Sequence, residues 1–158
     1  MVEQPTFVLY RLNDEVTLAG QPQPEEVEWL RRQGYRSVLN IRTDPILGAV
    51  EGRNVERAGL AYRFLPLPAY ELELEHVRRF GQAVRELPKP LFFHCRTASR
   101  TGLLWMLHRM LNEGWSREAA EAELRAAGYG DGDMEVFNFC VDDFFERQPA
   151  AAERDRRE

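Results

Sequence analysis

Cysteine is scarce in this chain: Cys95 and Cys140 are the only two among 158 residues. Two thiols far apart in sequence imply no disulfide framework, and a working thiol suits a reducing cytoplasm. Histidine is scarce as well. His76, His94 and His108 show no close ligand spacing, so no metal is expected. There is no glycine-rich nucleotide loop, and no cofactor is expected. No apolar run approaches a membrane span. The opening Met1-Val2-Glu3-Gln4-Pro5 lacks the basic start and apolar core of a signal peptide. Positive charge is in deficit, with 21 Lys and Arg against 26 Asp and Glu for a net charge of -5. That balance argues against nucleic acid or an anionic membrane as partner.

What is present fits one domain with a sizeable core. We expect a single domain over 1–148 and a disordered, charged, alanine-rich tail over 149–158. Short apolar runs at 7–12, 16–19, 37–41, 61–65 and 91–93 read as strands. Pro24 opens a helix that Gly34 stops, and a second helix over 51–58 ends at Gly59. Val77, Phe80, Val84 and Leu87 recur at helical spacing before Pro88. Leu103, Leu104, Leu107, Met110 and Leu111 mark a long helix that Gly114 ends. Ser116 is placed to cap the next helix, Gly128 to end it, and Asp133 to cap a last one. In that last helix Cys140 sits at core spacing. The alternation of strand and helix predicts an α/β fold with a mainly parallel central sheet and helices on both faces. Ligands bind such sheets at the carboxyl ends of the strands.

One segment carries the chemistry: Phe92-Phe93-His94-Cys95-Arg96-Thr97-Ala98-Ser99-Arg100-Thr101-Gly102. It reads as a strand ending on His-Cys, a short loop, and an apolar helix. Such a loop aims backbone N–H groups at one spot, where the helix dipole also favours an anion. The same field stabilises a thiolate, which makes Cys95 a candidate nucleophile. Arg100 offers a planar fork of donors to an oxyanion. His94 is expected to orient the loop, and Arg96 either contacts substrate or faces solvent. Thr97, Ala98 and Ser99 form the remaining wall. Ser99 and Thr101 either bond the thiolate or cap the helix. Arg42 and Asp44 follow a strand end on the same side, and either line the pocket or form a salt-bridged loop.

The spacing Cys-x4-Arg is one residue shorter than the Cys-x5-Arg of protein tyrosine and dual-specificity phosphatases, and it resembles the loop of rhodanese-type sulfurtransferases. The wider chain is more specific. Leu18-Ala19-Gly20-Gln21-Pro22-Gln23-Pro24-Glu25, then 34–44 from Gly34 to Asp44, then His94 to Gly102, resemble in order the phosphatase-like domain of beta-lactamase-hydrolase-like proteins. The resemblance spans roughly 16–130 and implies a three-layer protein tyrosine phosphatase-like fold. It also implies that Thr101 helps the thiolate leave. Two departures stand out. Ala98 replaces the family's usual glycine, and if positive φ is required there, alanine costs on the order of 1 kcal/mol. The stretch 66–73, where these phosphatases carry an acidic aspartate, has none; Glu71, Glu73 or Asp44 would have to protonate the leaving group.

Three functions follow. The first is a cysteine-dependent phosphatase acting on a phosphorylated small molecule or phosphoprotein through a thiophosphoryl intermediate, with Glu71 as acid. The second is a sulfurtransferase that carries a persulfide on Cys95 from a sulfane-sulfur donor and needs no acid. The third is a non-catalytic binder of phospho-ligands or anions.

Overall fold

The computed structural model describes residues 4–149. Five strands form one sheet: β1 (Leu9–Arg11), β2 (Val16–Ala19), β3 (Ser37–Asn40), β4 (Ala61–Phe64) and β5 (Leu91–His94). Their order is β1-β2-β5-β3-β4, with β1 antiparallel to β2 and every other pairing parallel. β2, β3 and β5 are buried along their whole length, as expected of central strands covered on both faces. Six α-helices accompany them: α1 (Val27–Arg32), α2 (Pro45–Arg57), α3 (Leu74–Glu86), α4 (Ser99–Leu111), α5 (Arg117–Ala127) and α6 (Asp131–Arg147).

Alternation along the strands divides the core. Ala19, Val38 and Phe92 pack with Val27 and Leu30 of α1 and Val55 of α2. Leu18, Leu39, Leu91 and Phe93 face the larger core built with α3 to α6. The parallel registers bring Ala19, His94 and Asn40 into one row, so β2, β5 and β3 all leave the sheet together. Gly20, Cys95 and Ile41 therefore emerge side by side.

The expected elements are present, with shifts at three helix starts. α2 begins six residues earlier than expected, at Pro45. The cause is local: the Asp44 side chain accepts from Ile46 N–H and Leu47 N–H, and Pro45 sits at the first helical position. α6 starts at Asp131, and Asp133 acts from inside it by accepting Gly130 N–H at 2.9 Å. Pro24 opens a short 3₁₀ turn (Pro24–Glu26) that feeds α1. Of the expected tail, residues 150–158 lie outside the described residues. Among the described residues no helix is long and apolar enough to cross a membrane.

Candidate active site

β5 ends at His94 and α4 begins at Ser99, so the loop is only Cys95, Arg96, Thr97 and Ala98. It closes tightly because Gly20 bridges Thr97 and Gln21 N–H donates to Arg96 O at 3.1 Å. A β-carbon on Gly20 would lie 3.0 Å from that same Arg96 oxygen, so the approach needs glycine. Cys95 N–H is held by Ala19 O, and the residue is only 1% exposed, so its thiol is reached from within the loop. The N–H groups of Arg96, Thr97, Ser99 and Arg100 have no protein acceptor among the described residues. Two belong to the orphan donors of the helix start, and the helix dipole adds its positive end. These uncommitted donors therefore gather in one loop, beside a buried thiol.

Ala98 has φ 74 and ψ 0, the left-handed conformation, at a cost of roughly 1–2 kcal/mol for a residue with a β-carbon. Two hydroxyls converge on its carbonyl. Thr101 Oγ1 donates to it at 2.8 Å and Tyr129 Oη at 2.7 Å, and both residues are buried. Burial, with the charge of Cys95 adding to it against the Thr101 bond, pushes the Tyr129 phenol up, so it remains a donor. Tyr129 reaches this point because Gly102 lacks a side chain; a β-carbon there would lie 2.6 Å from Phe137 and 3.0 Å from Tyr129. Tyr10 stacks on the other face of the phenol ring, with centroids 3.9 Å apart. Thr101 Oγ1 also lies 3.4 Å from Tyr129 Oη, so the two hydroxyls and the Ala98 carbonyl form one buried cluster.

Beneath the loop runs a chain of buried polar groups. His94 Nδ1 lies 3.1 Å from Cys95 O, and Nε2 lies 2.7 Å from Glu51 Oε2. Glu51 Oε1 accepts from Gln21 Nε2 at 2.6 Å, and Gln21 Oε1 accepts from Arg42 Nη1 at 2.8 Å. Burial alone would raise the Glu51 carboxyl, but the bond and charge of His94, with bonds from Gln21 and Tyr62, hold it below the ordinary carboxylate range. Both ring nitrogens of His94 thus face acceptors, a carboxylate on one side and a carbonyl on the other. His108, equally buried, has the opposite surroundings. Its Nδ1 faces the Asn112 amide at 2.8 Å while Nε2 faces Glu113 at 3.1 Å. One ring hydrogen satisfies both, and burial pushes its pKa down to about 4, against the pull of Glu113.

Arg100 anchors the far side. Its Nη2 donates to Leu67 O at 2.6 Å and Ile41 O at 3.3 Å, past the ends of β4 and β3. Nε and Nη1 have no protein acceptor among the described residues. None of Arg42, Arg96 and Arg100 pairs with a carboxylate among the described residues. An acidic chain thus keeps uncompensated guanidinium groups around one loop. Arg96, Thr97 and Ser99 are exposed, with Thr97 and Ser99 hydroxyls 3.4 Å apart.

The acid candidates are placed differently. Asp44 is occupied as the α2 cap, and its residue lines a cavity of about 290 Å³ with Gln21, Arg42 and Glu51. Glu71 is exposed and lines another of about 250 Å³ with Tyr70, Cys140 and Arg147. Ala69, Leu72 and Leu103 border both that cavity and the small one at Arg100, and so form the wall between the two. Glu73 caps α3, its backbone N–H donating to His76 Nδ1. The structure therefore gathers Cys95 to Arg100 with His94 and Arg42, and leaves Glu71 and Asp44 outside that group. Gln21, Glu51, Tyr129 and the packing role of Gly102 were not singled out by sequence reasoning. Gln21 and Gly102 lay within quoted motifs, whereas nothing local marks Glu51 or Tyr129.

A mostly parallel sheet with helices on both faces and a cysteine loop at its centre is the fold of the protein tyrosine phosphatase-like class. No family profile matches the chain. The beta-lactamase hydrolase-like protein of Xylella fastidiosa is 29% identical over 123 residues, covering 75% of this chain and 28% of that protein. The dual specificity protein phosphatase TpbA of Pseudomonas aeruginosa is 29% identical over 138 residues, covering 82% of this chain and 58% of its own length. The chain thus spans less than two thirds of either relative, and under a third of the first. A cysteine-to-serine form of TpbA, solved in complex with phosphotyrosine, superposes with a TM-score of 0.64 at 25% identity, covering 96% of this chain and 94% of that one. The resemblance that the sequence motifs carried is borne out by these homologues.

Proposed function

We propose that the chain is a cysteine-dependent phosphatase acting on a phosphate monoester. The observation that carries this reading is the buried Cys95 thiol inside a ring of uncommitted N–H donors, flanked by Arg100. Cys95 Sγ, as thiolate, attacks phosphorus while the phosphorus–oxygen bond to the leaving group breaks, and the leaving oxygen takes a proton from an acid. Water then attacks phosphorus, giving a proton to the now deprotonated acid while the sulfur–phosphorus bond breaks, and phosphate departs with the thiolate and the acid restored. The loop N–H groups and the free edge of Arg100 hold the equatorial oxygens through both steps. His94, fixed by Glu51, and the Thr101–Tyr129 pair hold the loop in shape.

Glu71 is the proposed acid, on the loop that borders Arg100. Reaching the leaving oxygen requires that loop to move inward, past the wall it now forms. The phosphatase names among the relatives support this reaction over persulfide transfer, and the substrate is a phosphorylated small molecule or phosphoprotein. A reducing, cytoplasmic setting suits the free thiol.

The test is hydrolysis of an aryl phosphate between about pH 5 and 7, wild type against Cys95→Ser, with circular dichroism to verify folding. Loss of turnover by at least about a thousandfold in the variant is expected of a nucleophile. Absence of turnover in a folded wild type would overturn the reading. A persulfide adduct on Cys95 after thiosulfate treatment would then favour sulfur transfer.

A further inference from the structure

Next to the loop lies a further concavity, of about 430 Å³, that the proposed reaction does not use. Arg42 and Arg96 line it together with Thr6, Phe7, Gln21 and Thr97, and no carboxylate residue is in its lining. Both arginines meet at Gln21, which takes the Arg42 side chain on its amide oxygen and the Arg96 carbonyl on its backbone N–H. Three neighbouring carboxylates are otherwise engaged, Asp44 as the cap of α2. Glu26, 1% exposed, accepts from Thr6 N–H at 2.6 Å, Thr6 Oγ1 at 2.9 Å and Gln23 N–H at 2.7 Å. Glu51 is taken by His94 and Gln21. The cavity is therefore a positive one, and its guanidinium groups have hydrogens to offer.

Its position fixes what it could take. Arg96 and Thr97 are one and two residues after Cys95, so their α-carbons lie within about 8 Å of the nucleophile's along the chain. Arg96 and Thr97 thus belong both to the cysteine loop and to the lining of this cavity, which makes the two neighbours. We propose that this cavity is a subsite for a second anionic group on the same substrate molecule, and that the substrate is a small organic phosphate carrying a second phosphate or a carboxylate close to the scissile ester. This rests on the phosphatase reading and narrows its substrate class. Arg96 and Arg42 grip the second anion through charge-assisted bonds, with Gln21 holding Arg42 in place. Arg100 and the loop N–H groups remain with the reacting phosphate.

The experiment compares phosphate release from glycerol 3-phosphate, which has no second anion, phosphoglycolate, which adds a carboxylate, and 2,3-bisphosphoglycerate, which adds both a carboxylate and a second phosphate. Wild type is expected to favour the multiply anionic substrates by at least about tenfold in kcat/KM, mainly through KM, the effect of one charge-assisted contact. That ratio is expected to collapse towards unity in Arg96→Gln and in Arg42→Gln. Preference for phosphoglycolate alone would assign the carboxylate, and preference for the bisphosphate alone the second phosphate. Turnover of glycerol 3-phosphate with no preference would overturn the subsite and leave the phosphatase intact. A phosphotyrosyl peptide turned over faster than all three would overturn the small-molecule assignment.

Calorimetry on Cys95→Ser separates the two readings. Tighter binding of 2,3-bisphosphoglycerate than of glycerol 3-phosphate, lost when Arg96→Gln is added, would support the subsite even if no substrate turned over. Equal binding of the two would overturn it.

Discussion

Among the described residues, Ala98 and Glu71 are the non-glycine residues with a positive φ, and they sit on two different loops that border the site. Ala98, φ 74, is buried in the cysteine loop, and its carbonyl is clamped by two hydroxyls. Glu71, φ 60, is on the 65–73 loop beside Tyr70, which is 84% exposed, and no hydrogen bond holds its carboxylate among the described residues. Similar backbone strain is locked in one loop and left open in the other. The difference matches what each would do. A nucleophile loop must present its donors before substrate arrives, since reorganising them during reaction would lose their electrostatic advantage. A loop that delivers an acid only when substrate is bound needs a low barrier to movement.

The comparison breaks most severely at Glu51. Replacing it by alanine leaves His94 facing no carboxylate in a buried site and is expected to cost about 3–5 kcal/mol, read as a lower denaturant midpoint. The acid response sharpens this. Because the folded Glu51 titrates below the ordinary carboxylate range, its contribution is complete at neutral pH and disappears as pH falls through the folded value. Glu51→Gln is expected to lack that low-pH loss. It should keep a separate one from His108, whose folded pKa of about 4 lies under the ordinary 6.5. The unfolded state binds that proton more readily, so stability falls between those values, by roughly 1–2 kcal/mol from pH 7 to 5. His108→Phe should flatten this decline; an unchanged decline would refute the assignment.

Arg100→Lys keeps the charge but removes the fork that bonds Leu67 and Ile41 while facing the loop. It is expected to lower kcat/KM for an aryl phosphate by about a hundredfold. Tyr129→Phe removes one of the two hydroxyls on Ala98 and is expected to cost about 1 kcal/mol, together with a drop in kcat/KM. If the hydroxyl acts by holding Ala98 left-handed, Ala98→Gly in the same protein should recover much of that drop, because glycine adopts φ 74 without strain. No recovery would mean that the Tyr129 hydroxyl acts other than by holding Ala98 left-handed. The smallest effect belongs to the open loop. Glu71→Gly should leave stability unchanged or raise it by up to about 1 kcal/mol, as strain is relieved at an exposed site. Its kcat should fall while Cys95 phosphorylation with a good leaving group persists; unchanged kcat on poor leaving groups would remove Glu71 as the acid.

The strands were legible because their apolar runs are short and bounded by turn residues, and the helices because their apolar faces recur. The start of α2 was not. It depended on Asp44-Pro45, a capping pair that was read as part of a pocket loop. For the site, the segment from His94 to Gly102 carried the candidate nucleophile and the arginine, since a strand end, a short loop and a helix start are sequence neighbours. That local grammar by itself picked out the loop and its reactive residue types, while three functions stayed open. The tertiary structure alone decided what supports the loop and what stands away from it. Glu51 reaches His94 across 43 residues and Tyr129 reaches Ala98 across 31, on helices and turns brought over the sheet by burial of their apolar faces. Glu71, read as part of the site, lines a separate cavity on the 65–73 loop. Hydrogen-bond partners distant in sequence leave no periodicity to read, because their pairing is set by how helices pack and not by spacing along the chain.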